Sequence, residues 1–409
     1  MKINVLGSGK EVGKSAIVVD DGTKILMDYG VRIHPEPPTY PPRVKVDAAI
    51  ISHAHLDHSG ASPVLTKNKT PIYMTDITME LCNMLLNDSI KVSFKNGFRT
   101  PFSKKDVRRM IKNTKLVNYN EVFHKNNLSI ELYNAGHIPG SSSILIDGRK
   151  SVFYTGDIQT MESHLIDKCH LPKSTDVLIM ESTYSYRDHS NRKKEEARLI
   201  NYVKETMSKN ETVLIPAFAV GRSQEIMLIL EKFSHLVALD GMAKSASNII
   251  SEYARFTKDP KKLRKVLKNV HFVNKKDSKK KIVERYPIIV STAGMLSGGP
   301  AIGYLKEIRK RPESAVLFTG FLVEGTPGRT LTQKPVFSSD NERFKVKCKI
   351  ERFQLSAHTD HNGLMNIIKK TNPENIICVH GDSCEDFAKS LSSLGFNAHA
   401  PKNNQKVIV

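Results

Sequence analysis

The chain alternates short apolar runs with polar turns. In its first part, residues 3–6, Ala16–Asp20, Lys24–Met27 and 48–52 read as strands, the last running straight into a polar cluster. Residues 177–180 form a further buried strand that ends in Glu181-Ser182-Thr183-Tyr184. From there the texture changes. Residues 187–204 are charged with helical periodicity, Val213–Pro216 is a short strand, and 221–233 reads as an amphipathic helix. Apolar strands return at 288–290, 316–318 and 376–379, each followed by a small or polar turn. Strands alternating with helices over this length predict an α/β architecture without internal repeats.

Composition narrows the class. With 39% hydrophobic and 25% charged residues, the 409-residue chain is of ordinary globular type, which argues against disorder, collagen and coiled coil. Its length suits two or three domains, or one carrying a large insertion. Lys and Arg outnumber Asp and Glu by 62 to 42, a net charge of +20. That excess favours a polyanionic partner, since phosphates held by Lys and Arg release counterions. Lys-rich surfaces also occur in proteins from hot environments, so both readings stand. A dense basic stretch at 257–281 likewise reads as a phosphate-binding or a merely solvated face.

Cysteine usage and local motifs exclude further classes. The five cysteines are odd in number and never spaced C-x-x-C, which argues against a disulfide framework or a thiolate zinc site. No apolar run approaches the roughly 20 residues that span a bilayer, and residues 1–7 are too short for a signal-peptide core, so a cytoplasmic protein without a membrane partner is expected. Ser8-Gly9-Lys10-Glu11-Val12-Gly13-Lys14-Ser15 imitates a phosphate-binding P-loop. However, Ser8 stands where the first Gly belongs, and a strand pattern follows where a helix is required.

The sharpest signal is Ile50-Ile51-Ser52-His53-Ala54-His55-Leu56-Asp57-His58-Ser59-Gly60, which places three imidazoles and a carboxylate at a strand end. Alternate side chains of an extended chain share a face, so His53 and His55 suit one metal while the following turn aims Asp57 and His58 at a second, about 3.5–4 Å away. His137, in Ala135-Gly136-His137-Ile138-Pro139, and Asp157, which follows the strand pattern Val152-Phe153-Tyr154-Thr155, punctuate apolar runs in the same way. Asp28 in Leu26-Met27-Asp28-Tyr29 is a candidate for orienting a metal-holding group.

With these residues the chain resembles the metallo-β-lactamase fold. The resemblance implies one zinc held by His53, His55 and His137, another held by Asp57, His58 and a downstream His, and Asp157 bridging them. Imidazole and carboxylate donors also accept manganese or iron. Downstream, Glu181, Ser356-Ala357-His358-Thr359-Asp360-His361 and Val379-His380-Gly381-Asp382 resemble motifs A, B and C of the β-CASP nucleases. Ile215-Pro216-Ala217-Phe218-Ala219-Val220-Gly221-Arg222, Ser291-Thr292-Ala293-Gly294-Met295 and Gly320-Phe321-Leu322-Val323-Glu324-Gly325-Thr326 are similar to the branch of the cleavage and polyadenylation specificity factors.

That likeness implies an α/β fold: a metallo-β-lactamase αββα sandwich from 1–185 and 353–409, with a β-CASP domain inserted at 186–352. It implies a zinc-dependent ribonuclease acting on single-stranded RNA in processing or decay, as an endonuclease, a 5′-to-3′ exonuclease or both. Asp57, Glu181 and His358 would be catalytic, with His358 near the departing 3′-oxygen and Glu181 holding it, and His380 would complete the second metal site. The inserted domain would clamp RNA through Arg222, Ser291, Thr292, Gly294, Gly325, Thr326 and Arg329, although Gly-rich loops equally read as plain turns. A homodimer and processing partners are implied by resemblance alone. The first strand begins at residue 3, where archaeal relatives often carry KH domains, and no RNase J-like C-terminal domain is expected after His380. Two other functions compete with this reading: hydrolysis of small thioesters or lactams, and a non-catalytic RNA-binding scaffold.

Overall fold

The computed structural model describes residues 1–339 and 342–409. The chain divides into two compact units. The first comprises Met1–Glu162, Asp167–Asp188 and His358–Val409, and the second Ser163–Ile166 and His189–Ala357.

The first unit is built on two seven-stranded sheets. One runs in the order Gln405–Ile408, Lys2–Gly7, Ala16–Asp20, Lys24–Met27, Ala48–Ile50, Ile72–Met74, Thr114–Leu116. The other runs Ala398–His399, Asn375–Val379, Val177–Glu181, Ser151–Tyr154, Ser142–Asp147, Leu128–Asn134, Val122–Lys125. Side chains alternate faces along a strand, and one set from each sheet meets in a shared core: Ile3, Val5, Ile17, Ile25 and Met27 join Ile130, Ile144, Val152, Val177, Ile179 and Val379. The other set of the second sheet, Phe153, Leu178, Met180, Ile376 and Cys378, packs against Leu364, Ile367 and Ile368 of helix His361–Thr371 and Phe387 and Leu391 of helix Cys384–Ser393. Burial on both faces explains why these central strands read as continuous apolar runs.

The second unit holds a six-stranded parallel sheet in the order His271–Phe272, Val237–Asp240, Ile288–Ser291, Val213–Pro216, Ala315–Phe318, Lys349–Arg352. From Val213–Pro216 the chain first winds to one side and later returns on the other, so this strand lies between Ile288–Ser291 and Ala315–Phe318. The helix expected at 187–204 forms as Arg192–Ser208, because the Asn191 side chain caps it by accepting from the Lys194 N–H. The helix expected at 221–233 ends earlier, at Ile229, and tightens into a 3₁₀ segment Glu231–Leu236. Ser163–Ile166 belongs to this unit because the buried Glu225 carboxylate accepts the N–H groups of His164, at 3.0 Å, and Leu165, at 2.8 Å.

Phe318 is 1% exposed in the core that joins Leu214, Ile289, Val316, Tyr304 and Leu305. Phe318→Ala is expected to lower stability by about 3–5 kcal/mol in a urea titration of the second unit's transition. The metal-binding capacity of the folded variant is expected to match that of the parent, since every candidate ligand lies in the first unit.

Candidate metal centre

Every candidate metal ligand stands just beyond the end of a strand or in the turn that follows. Strand Ala48–Ile50 runs into His53 and His55, and the short helix Leu56–Ser59 carries Asp57 and His58. Three backbone bonds brace that helix, from Ser15 N–H to Asp57 O (2.8 Å), Tyr29 N–H to His58 O (2.8 Å) and Val31 N–H to Leu56 O (2.9 Å). Gly30 sits in this seam. A Cβ there would lie 1.7 Å from Asp57 O, so no larger residue fits. His137 follows strand Leu128–Asn134, Asp157 follows Ser151–Tyr154, Glu181 ends Val177–Glu181, and His380 follows Asn375–Val379 with a left-handed φ of 52°.

These residues converge into three overlapping groups: His53, His55, His137 and Asp157; Asp57, His58, Asp157 and His380; and Asp157, Glu181 and His358. Asp157 is common to all three. Its Oδ2 lies 3.5 Å from His53 Nε2 and 3.5 Å from His137 Nε2, while its Oδ1 lies 3.1 Å from His58 Nε2 and 3.5 Å from His380 Nδ1. Imidazole nitrogens crowd each other, with His137 Nε2 3.1 Å from His55 Nδ1 and His58 Nε2 3.3 Å from His380 Nε2. His380 Nε2 is also 3.3 Å from Asp57 Oδ2.

Buried lone pairs facing one another are costly unless a proton or cation lies between them. His53 Nε2 is buried and makes no hydrogen bond. Burial, followed by the neighbouring His58, drives the His53 pKa well below its ordinary value, which leaves a neutral ring able to ligate. Burial works against ionisation of Asp157, but His58, His380 and His358 more than offset it and hold the carboxyl well below the usual carboxylate range. Imidazoles grouped around a shared carboxylate are the donor set of a divalent cation pair, and the residues present fit one.

The partners behind the ligands are equally specific. The fully buried Asp28 carboxylate accepts from Ser52 N (2.7 Å), Ser52 Oγ (2.8 Å), His58 Nδ1 (2.6 Å) and Tyr154 Oη (2.8 Å). His58 thus turns Nδ1 to Asp28 and Nε2 to Asp157. Glu181 accepts the Ile158 N–H at 2.8 Å and the Thr183 hydroxyl at 2.5 Å, and its carboxylate faces His358 Nδ1 at 2.9 Å. His358 Nε2 then points toward Asp157, 3.8 Å from Oδ2. Burial disfavours a proton on His358, but Glu181 and then Asp157 outweigh it and push the pKa up to about 9, so the ring is protonated at neutral pH. Gln159 Nε2 donates to His358 O at 2.8 Å, and Thr359 N–H donates to Ile158 O at 2.8 Å, which fixes the backbone carrying the imidazole. Asp57 and His358 keep 32% and 17% of their side chains exposed, whereas His53 and His58 keep none, so the centre opens on the side of Asp57 and His358.

Sequence reading missed Ser52, Tyr154, Gln159 and Thr183. Ser52 stands beside His53, Thr183 two after Glu181 and Gln159 two after Asp157, so proximity was a usable signal for them. Tyr154 gave none, because its hydroxyl ends an apolar strand.

Arg222, Ser291, Thr292, Gly294, Gly325, Thr326 and Arg329 all lie in the second unit, in segments that follow the carboxyl ends of Val213–Pro216, Ile288–Ser291 and Ala315–Phe318. In parallel sheets, ligands bind beyond the carboxyl ends of strands where the winding direction reverses, as it does around Val213–Pro216. The Ser291 and Thr326 hydroxyls donate to the carbonyls of Thr292 and Val323, and Arg329 pairs with Glu324 at 2.9 Å.

Comparison with known proteins places this architecture. Residues 223–331 match the Beta-Casp domain, residues 343–401 the Zn-dependent metallo-hydrolase RNA specificity domain, and residues 1–209 the Anti-Pycsar protein Apyc1. A Probable RNase MJ4 from Methanocaldococcus jannaschii is 36% identical over 100% of both chains. The chain belongs to the β-CASP family of metallo-β-lactamase-fold ribonucleases. Other family members include RNase aCSPSF2 of Saccharolobus solfataricus, 34% identical over 99% of this chain and 85% of its own, and transcription termination factor FttA of Thermococcus kodakarensis, 33% identical over 98% and 70%. A protein of unknown function from Enterococcus faecalis V583 shares the fold, with a TM-score of 0.64 at 15% identity over 100% and 99% of the two chains. No helix among the described residues is long and apolar enough to cross a membrane.

Asp28→Asn is expected to weaken zinc binding by about 10–100-fold, because an amide cannot accept all four donors that Asp28 now satisfies. Competition against a chromophoric chelator reads the affinity. Zinc binding at parental strength would remove Asp28 from this role.

Proposed function

We propose that the chain is a metal-dependent ribonuclease that hydrolyses phosphodiester bonds of single-stranded RNA with two zinc ions, leaving 5′-phosphate and 3′-hydroxyl ends. The observation that carries this reading is the Asp157 carboxylate, with one oxygen toward His53 and His137, the other toward His58 and His380, and the His358–Glu181 pair beside it. It occurs in a chain similar along its whole length to a protein named Probable RNase MJ4.

His53, His55, His137 and Asp157 would hold one zinc, and Asp57, His58, His380 and Asp157 the other. Bound zinc polarises a phosphoryl oxygen and brings the pKa of water down to roughly 7. The chain's own residues do the rest. Glu181 accepts the Nδ1–H of His358 and so fixes which nitrogen faces the centre, and His358 Nε2 delivers its proton to the departing 3′-oxygen. Asp57, on the open side, is placed to orient the attacking group. In the second unit, Arg222, Ser291, Thr292, Gly294, Gly325, Thr326 and Arg329 would grip RNA through backbone N–H groups and guanidinium charge.

A small thioester or lactam substrate accounts neither for the RNA specificity and Beta-Casp matches nor for the His358–Glu181 pair. A silent scaffold is disfavoured because the ligand set is complete. A homodimer remains part of the reading on family grounds.

Circular, 5′-triphosphate and 5′-monophosphate forms of one RNA separate the two modes of action. Cutting of the circle shows endonuclease action, while a monophosphate preference with mononucleotide products shows the exonuclease. His58→Ala and His380→Ala are each expected to lower cleavage at least about 100-fold with an unchanged circular dichroism spectrum. Parental rates in either variant, or full activity after exhaustive chelation, would sink the ligand assignment.

A further inference from the structure

Residues 184–188 take no part in the roles given above to the ligands and to His358, yet their backbone is tightly fixed. His361 N–H donates to Arg187 O at 3.1 Å, and the His361 ring faces Ser185 O through Nδ1 at 2.8 Å. The Asp188 carboxylate accepts from Asn362 N (3.0 Å) and Nδ2 (2.8 Å). From this anchored turn Tyr184 points inward, its ring centroid 6.2 Å from that of His358, while Tyr186 points outward and is 58% exposed. The Arg187 guanidinium stands over both rings, 5.2 Å from the Tyr184 centroid and 5.4 Å from that of Tyr186. Among the described residues no carboxylate lies within ion-pair distance of Arg187.

A single exposed tyrosine is unremarkable. Here the ring is held by a rigid turn, backed by an unneutralised planar cation, and continuous through Tyr184 with the imidazole that meets the departing oxygen. An aromatic face beside a cation is what single-stranded nucleic acid uses: every base offers a π-face, and the guanidinium adds attraction for the ring and the phosphate. We propose that Tyr186, with Arg187 behind it, is a nucleobase-stacking subsite for a nucleotide on the 5′ side of the cut, the side that keeps the 3′-oxygen. This rests on the ribonuclease reading and deepens it. Stacking is indifferent to base identity but requires a free base face, so the subsite selects unpaired RNA without selecting sequence.

The test uses the full-length zinc-loaded protein and a single-stranded RNA with one defined cut, in a series where one base-free ribose is moved along the strand. Tyr186→Ala is expected to lower kcat/KM roughly tenfold, with the loss carried by KM. Tyr186→Phe recovers most of that loss. A base-free residue at one of the two positions 5′ of the cut costs the parent protein the same factor and costs Tyr186→Ala nothing more. Parental KM in Tyr186→Ala, or a loss unchanged by where the base is missing, overturns the subsite. If Tyr186→Ala does not fold, the series on the parent decides alone, and the absence of any position-specific loss is then the negative result. If the parent protein cuts none of these RNAs, the ribonuclease reading fails separately, and fluorescence anisotropy on the same series still scores base-dependent binding.

Discussion

A carboxylate buried among five imidazoles is the constraint on which the first unit depends. Asp157 is 2% exposed and has His53, His58, His137, His358 and His380 within 4 Å of its oxygens. An ionised group taken out of water costs several kcal/mol unless opposite charge and hydrogen bonds replace the solvent. The surrounding rings supply that replacement, His58, His380 and His358 foremost. The arrangement explains why distant segments end at one point: each contributes a group that the buried charge requires.

Holding those donors in place is mostly backbone work at strand ends. Two sheets with a shared apolar core give a rigid floor, and the turns above it approach so closely that side chains are excluded. Gly30 against Asp57 is one such contact. Gly381, whose Cβ would sit 2.5 Å from Ser182 O, is another. The stretch Ser8–Ser15, which imitates a phosphate-binding loop, serves the same end: Ser15 N–H braces Asp57 O, and Ser8 O accepts the His380 N–H. Its Lys14 forms an ion pair with Glu11, which also binds Arg32 and Asn403, so the basic residue of the imitation is engaged within the fold.

The basic excess resolves into several roles. Within the stretch 257–281, Lys262 and Lys265 pair with Glu231, and Lys279 pairs with Asp240, while Lys261, Arg264, Lys268, Lys275 and Lys276 face outward. Exposed pairs of this kind contribute little stability. The outward cations add long-range attraction for a polyanion such as RNA.

The strand pattern and the metallo-β-lactamase fold with its β-CASP insertion were legible in the chain itself. Alternation reports which face is buried, and a cluster such as His53, His55, Asp57 and His58 has few structural explanations. The sequence by itself did not say which Asp157 oxygen faces which ligands, that Tyr154 and Ser52 join His58 on Asp28, or that Ser163–Ile166 leaves its sequence neighbours for the second unit. Nor did it say that Tyr184 turns inward while Tyr186 turns out. Local periodicity carries no information about contacts such as that between His380 and Asp57, 323 residues apart. Those are decided by which strand ends the packed sheets bring together, and by a buried charge that is stable only where its partners converge.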